Sequence, residues 1–170
     1  MPFLNLILLN NTAIHRAGTT RLFSGVDIND NMDSTTTLTL FVPVNEAMEE
    51  AGLTFDTIEE IDDETLQNII KSHIMIGSIK VEDLICGDQY ESMLASTLWE
   101  NSPVYGKSLL KVDCVKNLES NTKTIGGFYN TGFKNQPTML SPNDISLCNG
   151  YIQPIDRIIQ SYPKYSSPVV

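Results

Sequence analysis

Three cysteines, two histidines and a scatter of carboxylates are the side chains with chemistry to offer. Cys86, Cys114 and Cys148 form no C-x-x-C pair, and His15 and His73 stand far apart. Closed zinc sites use closely spaced ligand pairs, so none is expected. Leu110, Val112 and Cys114 alternate along an expected strand and share its buried face. Cys86 and Cys148 sit beside Gly87 and Asn149-Gly150 in turn-like settings. A disulfide, where one forms, is therefore expected between Cys86 and Cys148; the other reading is three reduced thiols. His73 lies on the apolar stripe of a helix. With a nearby carboxylate it could serve a hydrolase as general base, but a core histidine bonded to backbone is the favoured reading. Asp144 and Asp156 could form an acid–base pair, yet a turn cap and satisfaction of buried donors account for them. The runs Glu49-Glu50 and Glu59-Glu60-Ile61-Asp62-Asp63-Glu64 offer oxygen ligands to Ca²⁺ without the spacing of an EF-hand loop. Helix-end charge explains them more simply. No Gly-x-Ser-x-Gly elbow and no phosphate-cradling loop occurs, and no cofactor is expected.

The elements that must position these residues fall into two regimes. Leu4 to Leu22 reads as a helix, with no basic leader region or clear cleavage site. A longer precursor with a signal peptide is compatible with it. Asn10-Asn11-Thr12 is a glycosylation sequon on Asn10. Thr36 to Val42 is a strand ending at Pro43, followed by a helix capped by Asn45 and stopped by Gly52. Asp62 caps the clearest helix, whose stripe is Leu66, Ile69, Ile70, His73 and Ile74. Ser78 to Leu84 reads as a short helical turn. Beyond Tyr90 the texture is strands: Glu91–Leu98, Ser108–Val115, Thr124–Thr131, Pro137–Leu140 and Tyr151–Ile159. Asn149-Gly150 is the strongest turn signal, expected as a type I′ hairpin turn with positive φ at both positions. Helices followed by strands give an α+β fold.

The chain has 170 residues, 41% hydrophobic and 19% charged, enough for one packed domain. Its 11 Lys plus Arg against 21 Asp plus Glu leave a net charge of −10. That excludes a phosphate-neutralising nucleic-acid footprint and attraction to anionic lipid. No apolar run is long enough for membrane insertion.

Two motifs in the right order resemble the fasciclin (FAS1) domain family. The first is Thr39-Leu40-Phe41-Val42-Pro43-Val44-Asn45-Glu46-Ala47-Met48. The last is Asn149-Gly150-Tyr151-Ile152-Gln153-Pro154-Ile155-Asp156-Arg157-Ile158-Ile159. Between them fall the histidine helix, Val81-Glu82-Asp83-Leu84, and the strand from Leu109 to Val112. The resemblance is strongest over residues 38–159 and implies one domain over 1–160 with a C-terminal tail at 161–170. It implies a β-wedge of two small sheets with helices packed around the N-terminal half. It further implies a non-enzymatic module, secreted or at the cell surface, that adheres to an extracellular protein, polysaccharide or surface, often in tandem copies. Adhesive animal members carry a Tyr-His pair near the helix end and an Asp-Ile motif before the Asn-Gly turn, both implicated in integrin contact. Here the first reads Ser72-His73, without the aromatic anchor, and the second Asn143-Asp144-Ile145. Those five residues are the contact region the resemblance implies. Gln153 stands where the family often has His, and Pro154 replaces an aliphatic residue. Proline donates no ladder bond, so the last strand is expected at an edge or bulged there. The readings outside adhesion are the His73 hydrolase and an acidic Ca²⁺-dependent interaction domain.

Overall fold

The structure is a computed structural model, and it describes residues 37–58, 60–98, 100–117, 120–127, 136–140 and 144–160. The expected N-terminal helix, Asn10, Asn143 and the tail lie outside those residues.

Strand β1 (Leu38–Pro43) is buried along its whole length. It pairs in antiparallel fashion with β2 (Ile74–Ile76) and in parallel with β7 (Gly150–Ile155). β6 (Ile145–Leu147) closes the sheet in the order β2-β1-β7-β6. A second sheet has the order β3-β4-β5, from β3 (Gln89–Glu91), β4 (Leu109–Asn117) and β5 (Ser120–Gly126). The first sheet is covered on both faces, which is why β1 reads as a nearly unbroken apolar run. On one face Leu38, Leu40, Val42 and Ile152 pack with Met48, Ile69 and Ile70 from the helices. On the other, Phe41, Met75 and Ile155 pack against Leu110, Val112 and Ile125 of the second sheet. The result is three layers: helices, the four-stranded sheet, the three-stranded sheet. This is the α+β wedge expected. Isolated bridges Met75↔Ser92, Thr124↔Thr138 and Met139↔Ile155 join the two sheets along their margins.

The helices are α1 (Asn45–Glu50), α2 (Phe55–Ile58), α3 (Asp63–Ser72) and α4 (Met93–Ser96). Asp62 caps α3 as expected, accepting from the Thr65 N–H at 2.9 Å. Val44, not Asn45, occupies the N-cap of α1, so that helix starts one residue early and without a side-chain cap bond. Gly52 stops it with φ +72°, a conformation that favours glycine. Ile74 leaves the α3 stripe to begin β2. Half of the expected strand Glu91–Leu98 is α4, because Ser92 accepts the Ala95 N–H and starts a helical turn.

The last strand corrects two expectations. Cys148 and Asn149 form the β6–β7 turn, and Gly150 is already paired with Leu147. Gly150 does not have the positive φ of a type I′ turn. Its need is space: a Cβ there would lie 1.8 Å from the Leu38 carbonyl oxygen. β7 also lies inside its sheet, not at the edge. Pro154 is tolerated because β6 ends its pairing at Ile152. The Ile155 carbonyl accepts the Val44 N–H on the β1 side, while the Pro154 carbonyl faces the other way and accepts the Leu140 N–H. The missing N–H of Pro154 thus falls where β1 asks for none.

Candidate functional site

His73 and Ser72 close the C-terminal end of α3, where helix carbonyls lack intrahelical donors. Both side chains are buried, His73 wholly so. The His73 Nδ1–H donates to the Ile69 carbonyl at 2.7 Å, and Nε2 accepts the Ile159 N–H at 3.0 Å. The Ser72 hydroxyl donates to the same Ile69 carbonyl at 2.6 Å. Burial lowers the His73 pKa to about 4, against the smaller upward effect of the Ile69 bond. The neutral imidazole is thus a staple between α3 and the segment after β7. Neither ring nitrogen is open to a substrate, which removes the geometry a His73 hydrolase needs. Ser72 and His73, expected at the contact surface, face the interior instead: His73 lies on the core-facing stripe, and the Ser72 hydroxyl folds back onto the Ile69 carbonyl.

Asp144 and Ile145 are placed differently. Ile145 opens the edge strand β6 and is 37% exposed. Asp144 is half-buried, and both carboxylate oxygens lie 3.2 Å from the Val81 N–H, 63 residues away in sequence. Burial pushes the Asp144 carboxyl up, and although the Val81 bond opposes this, the net direction is upward. Val81–Asp83 is a single 3-10 turn, as the helical reading of Ser78 to Leu84 anticipated. Its other end meets Lys123 of β5. The Lys123 Nζ donates to the carbonyls of Val81, Glu82 and Leu84, each at 2.7 Å. The short turn is therefore held by an anion at its N–H end and a cation at its carbonyl end, the sense the backbone dipoles favour. Lys123 escaped the sequence reading, since nothing in a polar strand residue announces a partner some 40 positions earlier. Asp156 satisfies a backbone donor, the Thr138 N–H, as expected.

The disulfide joins Cys86 to Cys114, and Cys148 is free and exposed. The expected pair Cys86–Cys148 is thereby corrected. β3 runs beside β4 with Gln89 opposite Lys111. The turn before β3 donates the Gly87 N–H to the Val112 carbonyl and takes the Val112 N–H on Asp88. This carries Cys86 along β4 to Cys114, 28 residues on, with Cα atoms 5.5 Å apart. Turn character, which Cys86 and Cys148 share, says nothing about which strand lies alongside.

Among the described residues no group of three or more His, Cys, Asp or Glu side chains could hold a metal ion. Among the same residues no helix is long and apolar enough to cross a membrane.

The family model of the fasciclin domain matches residues 17–161, and the chain belongs to that family. Its members are in general adhesion-type modules, typically extracellular or surface-associated. No curated protein sequence matches the chain. Among solved structures it is similar to a FAS1 domain pair from the insect cell adhesion molecule fasciclin I, with a TM-score of 0.55 and 18% identity. The match covers 84% of this chain and 45% of that one, so the chain spans a little under half of its structural neighbour. At that identity the likeness speaks for the fold.

Proposed function

We propose that this chain is a secreted or cell-surface adhesion module that binds an extracellular protein, polysaccharide or surface without turnover. The contact region is Asn143, Asp144 and Ile145, of which Asp144 and Ile145 stand at the start of the edge strand β6. Membership of the fasciclin family carries the reading, and the exposure of Ile145 at the open end of β6 supports its placement. The neighbour's arrangement as a domain pair supports tandem copies in the full-length protein. Tandem display raises avidity without new contacts, because each later engagement is intramolecular.

The test displays the domain multivalently on beads and measures retention on cell, matrix, polysaccharide and mineral surfaces against a charge-matched control. Retention above control on at least one surface, reduced several-fold by Ile145→Glu, is the expected result. Retention equal to control on all of them would overturn the reading.

A further inference from the structure

The Lys123 side chain has three N–H donors, and three backbone carbonyls converge on it. Val81, Glu82 and Leu84 each present an oxygen at 2.7 Å, which matches the capacity of a primary ammonium. A guanidinium spreads its donors over a planar fork and cannot set three of them on one point. From the opposite end of the same turn the Val81 N–H reaches the Asp144 carboxylate. Asp144 immediately precedes β6, so Lys123 is connected to the edge strand through a turn that it does not share with it. The attachment is itself anchored: β5 pairs with β4 along seven residue pairs, with Lys123 directly opposite Cys114 of the disulfide. The Lys123 carbonyl also accepts the Met139 N–H. Glu82 is left to pair with Lys80 at the surface, at 3.3 Å.

We propose that Lys123 is the positioning residue of the Asp144–Ile145 surface: its ammonium fixes the 81–84 turn, and the turn holds Asp144 and the start of β6 in place. The importance of this for adhesion rests on the function proposed above; the coupling itself does not.

The experiment is amide hydrogen exchange resolved by residue, on wild type and on Lys123→Met, which keeps the apolar stem and removes the three donors. Exchange of the Val81 amide and of the protected amides in Ile145–Leu147 should rise together by at least about tenfold. Core amides of Leu40 and Ile70 should stay within about twofold of wild type. A rise confined to residues 82–84, with β6 unchanged, would overturn the coupling. Should Lys123→Met fail to fold, wild type decides: Val81 and β6 must open with the same dependence on low denaturant, and different dependences overturn the proposal. Bead retention of the same variant separates the two claims. Coupled exchange with lost retention supports both. Coupled exchange in a domain whose wild type is retained nowhere leaves the positioning role standing and removes the adhesion reading.

Discussion

His73 shows how one side chain serves the interior while looking reactive in sequence. An ordinary imidazole takes a proton near 6.5, whereas this one does so at about 4. Between those values the unfolded chain binds more protons than the folded one. The contribution is therefore intact above about pH 6.5 and is lost as the pH falls toward about 4. The loss approaches about 3 kcal/mol. Urea unfolding midpoints measured across that window should fall steeply for wild type, and a His73→Gln variant should show a flatter slope. Equal slopes would mean the imidazole takes its proton at the same pH in the fold as in the unfolded chain. The helical period put His73 on the core-facing stripe, so its burial was legible. Its acceptor bond from Ile159, 86 residues away, was not. A hydrogen bond between distant segments leaves no trace in the local spacing of either.

Elements fix which cysteines meet and how close two strands come. The disulfide closes a loop with a sequence separation of 28 residues, and constraining such a loop in the unfolded chain is worth about 3–4 kcal/mol. Cys86→Ser combined with Cys114→Ser should lower unfolding stability by that amount, while Cys148→Ser, at an exposed turn, should change it by less than about 0.5 kcal/mol. Chemical denaturation of the three proteins checks both statements. Gly150 pairs with Leu38 where β7 meets β1. Gly150→Ala places a methyl against the Leu38 carbonyl, and the expected cost is about 3 kcal/mol or more, because both neighbours are backbone in a buried parallel pair. A loss below about 1 kcal/mol would show that the strands separate easily. The Asn-Gly signal located this turn to within one residue. It misassigned the reason for the glycine, since turn statistics report φ and carry no information about a strand on the far side.

At the scale of the molecule, β7 is the strand that both cores require. Ile152 and Ile158 belong to the core beneath the helices, and Ile155 and Ile159 to the core between the sheets. A chain ending after Asn149 should therefore lack a cooperative thermal transition, and circular dichroism against the full chain tests this; a sharp two-state melt would contradict the layered account. The net charge of −10 belongs to this scale as well. Some of it stands at helix starts, as with Asp62, Asp63 and Glu64 of α3, where backbone dipoles accommodate it without a partner. Taken alone, the amino-acid sequence determined the α+β class, the capped α3 helix with its buried stripe, and the resemblance to the fasciclin family. The class and the helix are written in patterning within a few residues, and the family resemblance in two motifs at either end of residues 38–159. Only the tertiary structure decided that Cys86 meets Cys114, that Ser72 faces inward and His73 accepts the Ile159 N–H while Ile145 stays exposed, and that Lys123 secures the turn bound to Asp144. Those facts depend on which strands lie side by side, and that is settled by burying two faces of one sheet at once, a condition on the whole chain.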